Sequence, residues 1–107
     1  MKNWKMTEEC IVNVFGVKLF RVELVVTCKW GSIGDKGGFI EKETNLSPDA
    51  WVSGNAQVFD SAKVFGNAWV CDNARVYDSA KVFGNAYVSD NAKVSGNAQV
   101  RGKACYL

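Results

Sequence analysis

Few side chains in this 107-residue chain have the type and spacing for chemistry. There is no histidine, so no Ser-His or Cys-His pair is available to activate a nucleophile. The four cysteines, Cys10, Cys28, Cys71 and Cys105, are scattered and form no CxxC pair. Without closer spacing or histidine they do not read as a zinc site, and reduced thiols in a cytosol are the expectation. Asp60, Asp72, Asp78 and Asp90 stand at equivalent places, each followed by Ser or Asn. Such dipeptides bond their own backbone and read as solvated turn formers. Calcium would need columns of Asp-Asn pairs, and only Asp72 and Asp90 supply one. The stretch "GSIGDKGG" (Gly31–Gly38) lacks the order of a phosphate-binding loop and reads as a turn between strands. "NLS" at Asn45–Ser47 is a formal glycosylation triplet followed by proline, void in a cytosolic protein. No catalytic, cofactor-binding or metal-binding residue is expected, and no cofactor.

The bulk numbers narrow the class. Apolar residues make up 48% of the chain, so it is not compositionally disordered. A net charge of +2 with mixed signs is too weak to draw nucleic acid by bulk attraction. No basic-then-apolar leader opens the chain, and no apolar run approaches the length of a membrane span. A soluble, cytoplasmic protein without a membrane partner is expected.

What must position these residues is a repeat. "DSAKVFGNA" occurs at Asp60–Ala68 and again, letter for letter, at Asp78–Ala86. From Ala50 an alanine recurs every six residues, and a valine follows two later from Val52 to Val100. The unit is A-x-V-x-[GD]-[NS]. Ala and Val two apart share one face of an extended segment, and that face must be inside. Gly-Asn, Asp-Ser and Asp-Asn tolerate positive φ and make corners. A period of six does not hold one face of a 3.6-residue helix, so helix is excluded. Each six-residue unit is therefore a short strand and a corner, and three units close one coil. Residue i then lies over i+18, about 4.8 Å away. The expected fold is all-β: a three-sided β-helix of about three 18-residue coils, with an N-terminal β-strand cap.

Folding on that period aligns Trp51, Trp69, Tyr87 and Cys105 in one column. Phe59 lies with Tyr77, and Phe65 with Phe83. Gln57, Arg75 and Lys93 form a further column, and Lys63, Lys81 and Gln99 another. Pro48 marks a seam between an expected strand cap, residues 1–47, and the β-helix, residues 48–107. Residues 10–28 read as two or three strands, with Gly16 near the first turn. The cap would cover the open strand edge at the N-terminal end.

The repeat resembles the left-handed β-helix of hexapeptide-repeat proteins. That resemblance implies acyltransferases that bind coenzyme A between the coils of a trimer and use a histidine as general base. Here the histidine is missing, and Phe59, Phe65, Tyr77 and Phe83 stand where the family places a small residue. The segments "VSGNAQV" and "VFGNAWV", preceded by "GGFIEKETNLS", resemble a narrower group of phage- and prophage-borne solenoid proteins labelled transferase-like. The missing histidine and the outward aromatic columns lead to the expectation of a non-enzymatic protein-binding module, and this resemblance implies its setting, a bacterial host cell. Its expected role is to inhibit or modulate a host or nuclease complex, the anti-CRISPR class being one example. The alternatives are an acyltransferase-like enzyme, disfavoured by the missing histidine, and a structural virion or assembly component.

Outward columns are the candidate partner surface. Trp51, Trp69 and Tyr87 form an apolar row of the kind that anchors protein interfaces. The other two sides mix rings with cations: Phe59, Tyr77, Arg75 and Lys93, then Phe65 and Phe83 with Lys63, Lys81 and Arg101. Such mixtures also serve nucleic acid, but the basic count is low and nucleic acid is disfavoured. The last unit decays to "GKACYL". Cys105, Tyr106 and Leu107 are therefore the expected edge of a homo-oligomer, dimer or trimer.

Overall fold

The computed structural model describes residues 2–101 and 105–106. Three longer strands lead: β1 (Trp4–Val12), β2 (Lys18–Leu24) and β3 (Lys36–Ile40). Nine two-residue strands follow, one per repeat unit: β4 (Trp51–Val52), β5 (Gln57–Val58), β6 (Lys63–Val64), β7 (Trp69–Val70), β8 (Arg75–Val76), β9 (Lys81–Val82), β10 (Tyr87–Val88), β11 (Lys93–Val94) and β12 (Gln99–Val100). A last strand, β13, is Cys105–Tyr106. The chain is a β-solenoid of about three turns, as the period of eighteen requires.

Three sheets form its sides. The first side runs β4-β7-β10-β13, the second continues β3-β5-β8-β11, and the third runs β6-β9-β12. All pairs within the coils are parallel and in register at an offset of eighteen: Trp51 opposes Trp69, Gln57 opposes Arg75, Lys63 opposes Lys81. Successive coils are joined by backbone bonds such as Trp51 N to Ala68 O at 3.1 Å and Ser53 N to Val70 O at 2.8 Å. Val52 to Val88 and Ala50 to Ala86 along the repeat are all buried. In so closely packed an interior a larger side chain at an alanine position would have to displace its neighbours.

The corners explain the Gly/Asp alternation. Gly54, Asp60, Gly66, Asp72, Asp78, Gly84, Asp90 and Gly96 all have φ between 59° and 70°. Glycine adopts this left-handed region freely and aspartate tolerates it. Aspartate also adds a bond. The Asp60 carboxylate accepts the Asp78 N–H at 3.4 Å, Asp78 accepts that of Gly96 at 3.1 Å, and Asp72 accepts that of Asp90 at 3.2 Å. Glu41 extends the first ladder downward by accepting the Asp60 N–H at 2.7 Å.

The front segment is tied to the second side. β1 and β2 are antiparallel, β2 and β3 are antiparallel, and β3 lies parallel to β5, giving a six-stranded sheet. Gly16, at φ 79°, turns the chain between β1 and β2; of "GSIGDKGG", Gly31–Asp35 lie between β2 and β3, and Lys36–Gly38 are already the start of β3. Ile40 opposes Val58 and Leu46 bridges to Val64, so residues 39–47 already occupy places of a preceding coil. Trp4, Val22, Leu24, Ile40 and Leu46 share one buried cluster with the coil valines. Trp4 fixes itself there by donating its indole N–H to Ser47 O at 2.8 Å.

Candidate functional site

The cap decides which columns are surface. On the second side Phe15, at the tip of the β1–β2 turn, lies 5.7 Å from the Phe59 ring and 5.6 Å from Tyr77. Leu19 and Phe39 complete the cover, leaving Phe59 only 1% exposed. Asn13 holds the tip by donating to the Gln57 side-chain oxygen at 3.3 Å. Beyond the tip, Arg75 is half-buried and Lys93 exposed.

On the first side Trp51 is 3% exposed. Its ring packs so close to Gly37 that a Cβ there would come within 2.7 Å of it and 2.3 Å of Val52 O. Trp30 tilts against Trp69 at 5.9 Å, and Trp69 against Tyr87 at 5.0 Å. Trp69 donates its indole N–H to Ser53 Oγ at 2.9 Å. The buried Cys71 donates its thiol to the Tyr87 hydroxyl at 3.3 Å. Burial pushes the Cys71 thiol up, and the bond to Cys71 pushes the Tyr87 phenol up. Both therefore remain protonated at neutral pH, so Cys71 is a packed thiol and not a nucleophile.

Two expected partner residues thus need correction. Trp51 and Phe59 point outward from their strands, but the front segment covers them, and they are not available to a partner. Trp69 stays 36% exposed, as Phe65 does, although Trp30 tilts against it, and Tyr87 is half-buried. Cys71 and Ser89, which flank the aromatic row, are buried. Of the expected oligomer edge, the Cys105–Tyr106 backbone extends the first side by pairing with Tyr87 and Val88; Leu107 lies outside the described residues.

Among the described residues the third side carries no such lid. Phe65 is 36% exposed and stacks on Phe83 with ring centroids 4.9 Å apart and planes at 3°. Lys63 and Lys81 stand in register beside the rings, both exposed. They form a ridge between two grooves. A polar groove is lined by Lys42, Thr44, Ser61, Ser79, Asn97 and Gln99 along with the two ridge lysines. An apolar groove is lined by Leu46, Pro48, Val64 and Phe65. Lys42 and Thr44 flank this side because Asn45 anchors their turn. Its side chain accepts the Lys42 N–H at 2.8 Å and donates to Ala62 O at 2.8 Å. These front-segment residues were not expected in the site. The signal was present, since Leu46 stands eighteen residues before Val64.

No family model, no curated protein and no solved structure matches this chain.

Proposed function

We propose that the chain is a non-enzymatic protein-binding module and that its third side is the binding face. The observation that carries this is the uneven cover: the cap seals Phe59 and Trp51, while on the third side Phe65, Lys63 and Lys81 are exposed and Phe83 is half-buried. A rigid row of rings beside cations, open to solvent, suits a protein interface better than chemistry. The resemblance of the repeat to phage- and prophage-borne solenoid proteins supports the kind of target. In this reading it is a host protein complex, such as a defence nuclease, that the chain blocks or modulates.

The test is a tagged pull-down from bacterial lysate beside a Phe65→Ser, Phe83→Ser variant of matched melting temperature. The expected result is a stoichiometric protein captured by the parent and lost by the variant. Capture by both would move the site to Arg75 and Lys93 on the second side or to Trp69 and Tyr87 on the first. Capture by neither would overturn the reading in favour of a structural assembly component.

A further inference from the structure

Resting on the protein-binding reading, we infer that the third side takes an acidic protein segment that carries an apolar side chain beside its carboxylates. Charge is the first argument. Lys63 and Lys81 oppose each other in register on neighbouring strands, an arrangement in which like charges repel. Neither forms an ion pair among the described residues. The nearby corner carboxylates of Asp60 and Asp78 are engaged with backbone N–H groups of the next coil. Lys42 adds a third ammonium to the polar groove, and no carboxylate lines it among the described residues. Ser61 and Ser79 hydroxyls complete a donor-rich wall. A partner's carboxylates supply the missing acceptors.

The second argument is the neighbouring apolar groove of Leu46, Pro48, Val64 and Phe65. Its single carboxylate, Glu43, is paired with Lys2. Lys63 and Lys81 line both grooves, so one segment that crosses the ridge meets cations and apolar surface together.

Two competing occupants fit worse. Bases stack on ring faces. Phe65 and Phe83 each spend one face on the other, which leaves less ring face for a base. A second copy of this chain docked face to face would set one lysine row against another.

The probe is a labelled, capped octapeptide alternating glutamate and leucine, titrated by fluorescence anisotropy. A peptide of lysine and leucine and a thymidine oligonucleotide run beside it. The parent is expected to bind the acidic peptide and neither control. Lys63→Glu with Lys81→Glu should weaken the acidic peptide at least about tenfold, as loss of a matched charge pair does, with an unchanged melting temperature. No binding of the acidic peptide at millimolar concentration, equal binding by the variant, or preference for the oligonucleotide would each overturn the inference. A lysate protein lost on Phe65→Ser, Phe83→Ser but retained on the charge reversal would sink the acidic partner and leave the protein-binding module standing.

Discussion

Phe59 and Phe65 occupy the same letter of the repeat, one corner apart, yet one is 1% exposed and the other 36%. Both follow a buried valine, both point outward, and both stack on an aromatic residue of the next coil: Phe59 on Tyr77 at 5.2 Å, Phe65 on Phe83 at 4.9 Å. The difference is made elsewhere. Phe15, Leu19 and Phe39 close over the first pair, and nothing comparable among the described residues closes over the second. In a solenoid, local sequence fixes which way a side chain points, and the non-repeated segment decides whether that direction leads to water.

The largest effect should come from breaking the covered pair. Phe59→Ala removes a sealed ring and should cost about 3–5 kcal/mol. Phe65→Ala loses mainly a half-exposed stack and should cost about 0.5–1.5 kcal/mol. Urea unfolding midpoints of the two variants check the contrast, and equal midpoints would refute the role given to the cap. Next comes the seam itself. Gly37→Ala places a methyl against Val52 O and the Trp51 ring, and overpacking of this kind costs about 1–3 kcal/mol. The expected readout is a loss of stability together with a red shift of tryptophan emission as Trp51 becomes wet.

The smallest effect concerns the outer face of the cap. Hydrogen bonds from Arg21 at 2.8 Å and Lys36 at 3.2 Å hold the Glu9 carboxyl below its usual value of 4.5. A group lowered on folding adds stability that is fully present above its unfolded value and is lost as pH falls through the folded one. Glu9 is exposed, so the contribution is small. Stability curves of the parent and Glu9→Gln should differ slightly near neutral pH and converge in acid. A gap that persists below the carboxylate range would show that the substitution acts through packing instead.

Much of this architecture was legible because the repeat is redundant. Nine units state the same Ala-Val spacing, and columns such as Lys63 with Lys81 follow from the period alone. Four aspartates at positive φ were legible for the same reason. The cover was not, since Phe15 and Trp30 belong to no repeat. Their positions depend on how β1 and β2 pair and turn. The strand that begins at Trp4 also starts before the Val-rich run that announced it. The apolar part of β1 is its exposed end, Ile11 and Val12, whereas the buried anchor is the isolated Trp4. Trp51 and Phe59 were misplaced on the free surface because outward and accessible coincide only where no second layer lies above.

The corner ladder of Glu41, Asp60 and Asp78 also bears on length. Each carboxylate reaches forward to the following turn, so the stack has a direction, and it closes at Gly96, which has no carboxylate to offer a further corner. The molecule can therefore grow from within more readily than from its end. A duplicated eighteen-residue block placed between Asp60 and Asp78 brings its own acceptor and finds its own donor. It would lengthen the open side by one rung of lysine and phenylalanine, about 4.8 Å, and the reach of this surface becomes a quantity that evolution or an engineer can set by counting.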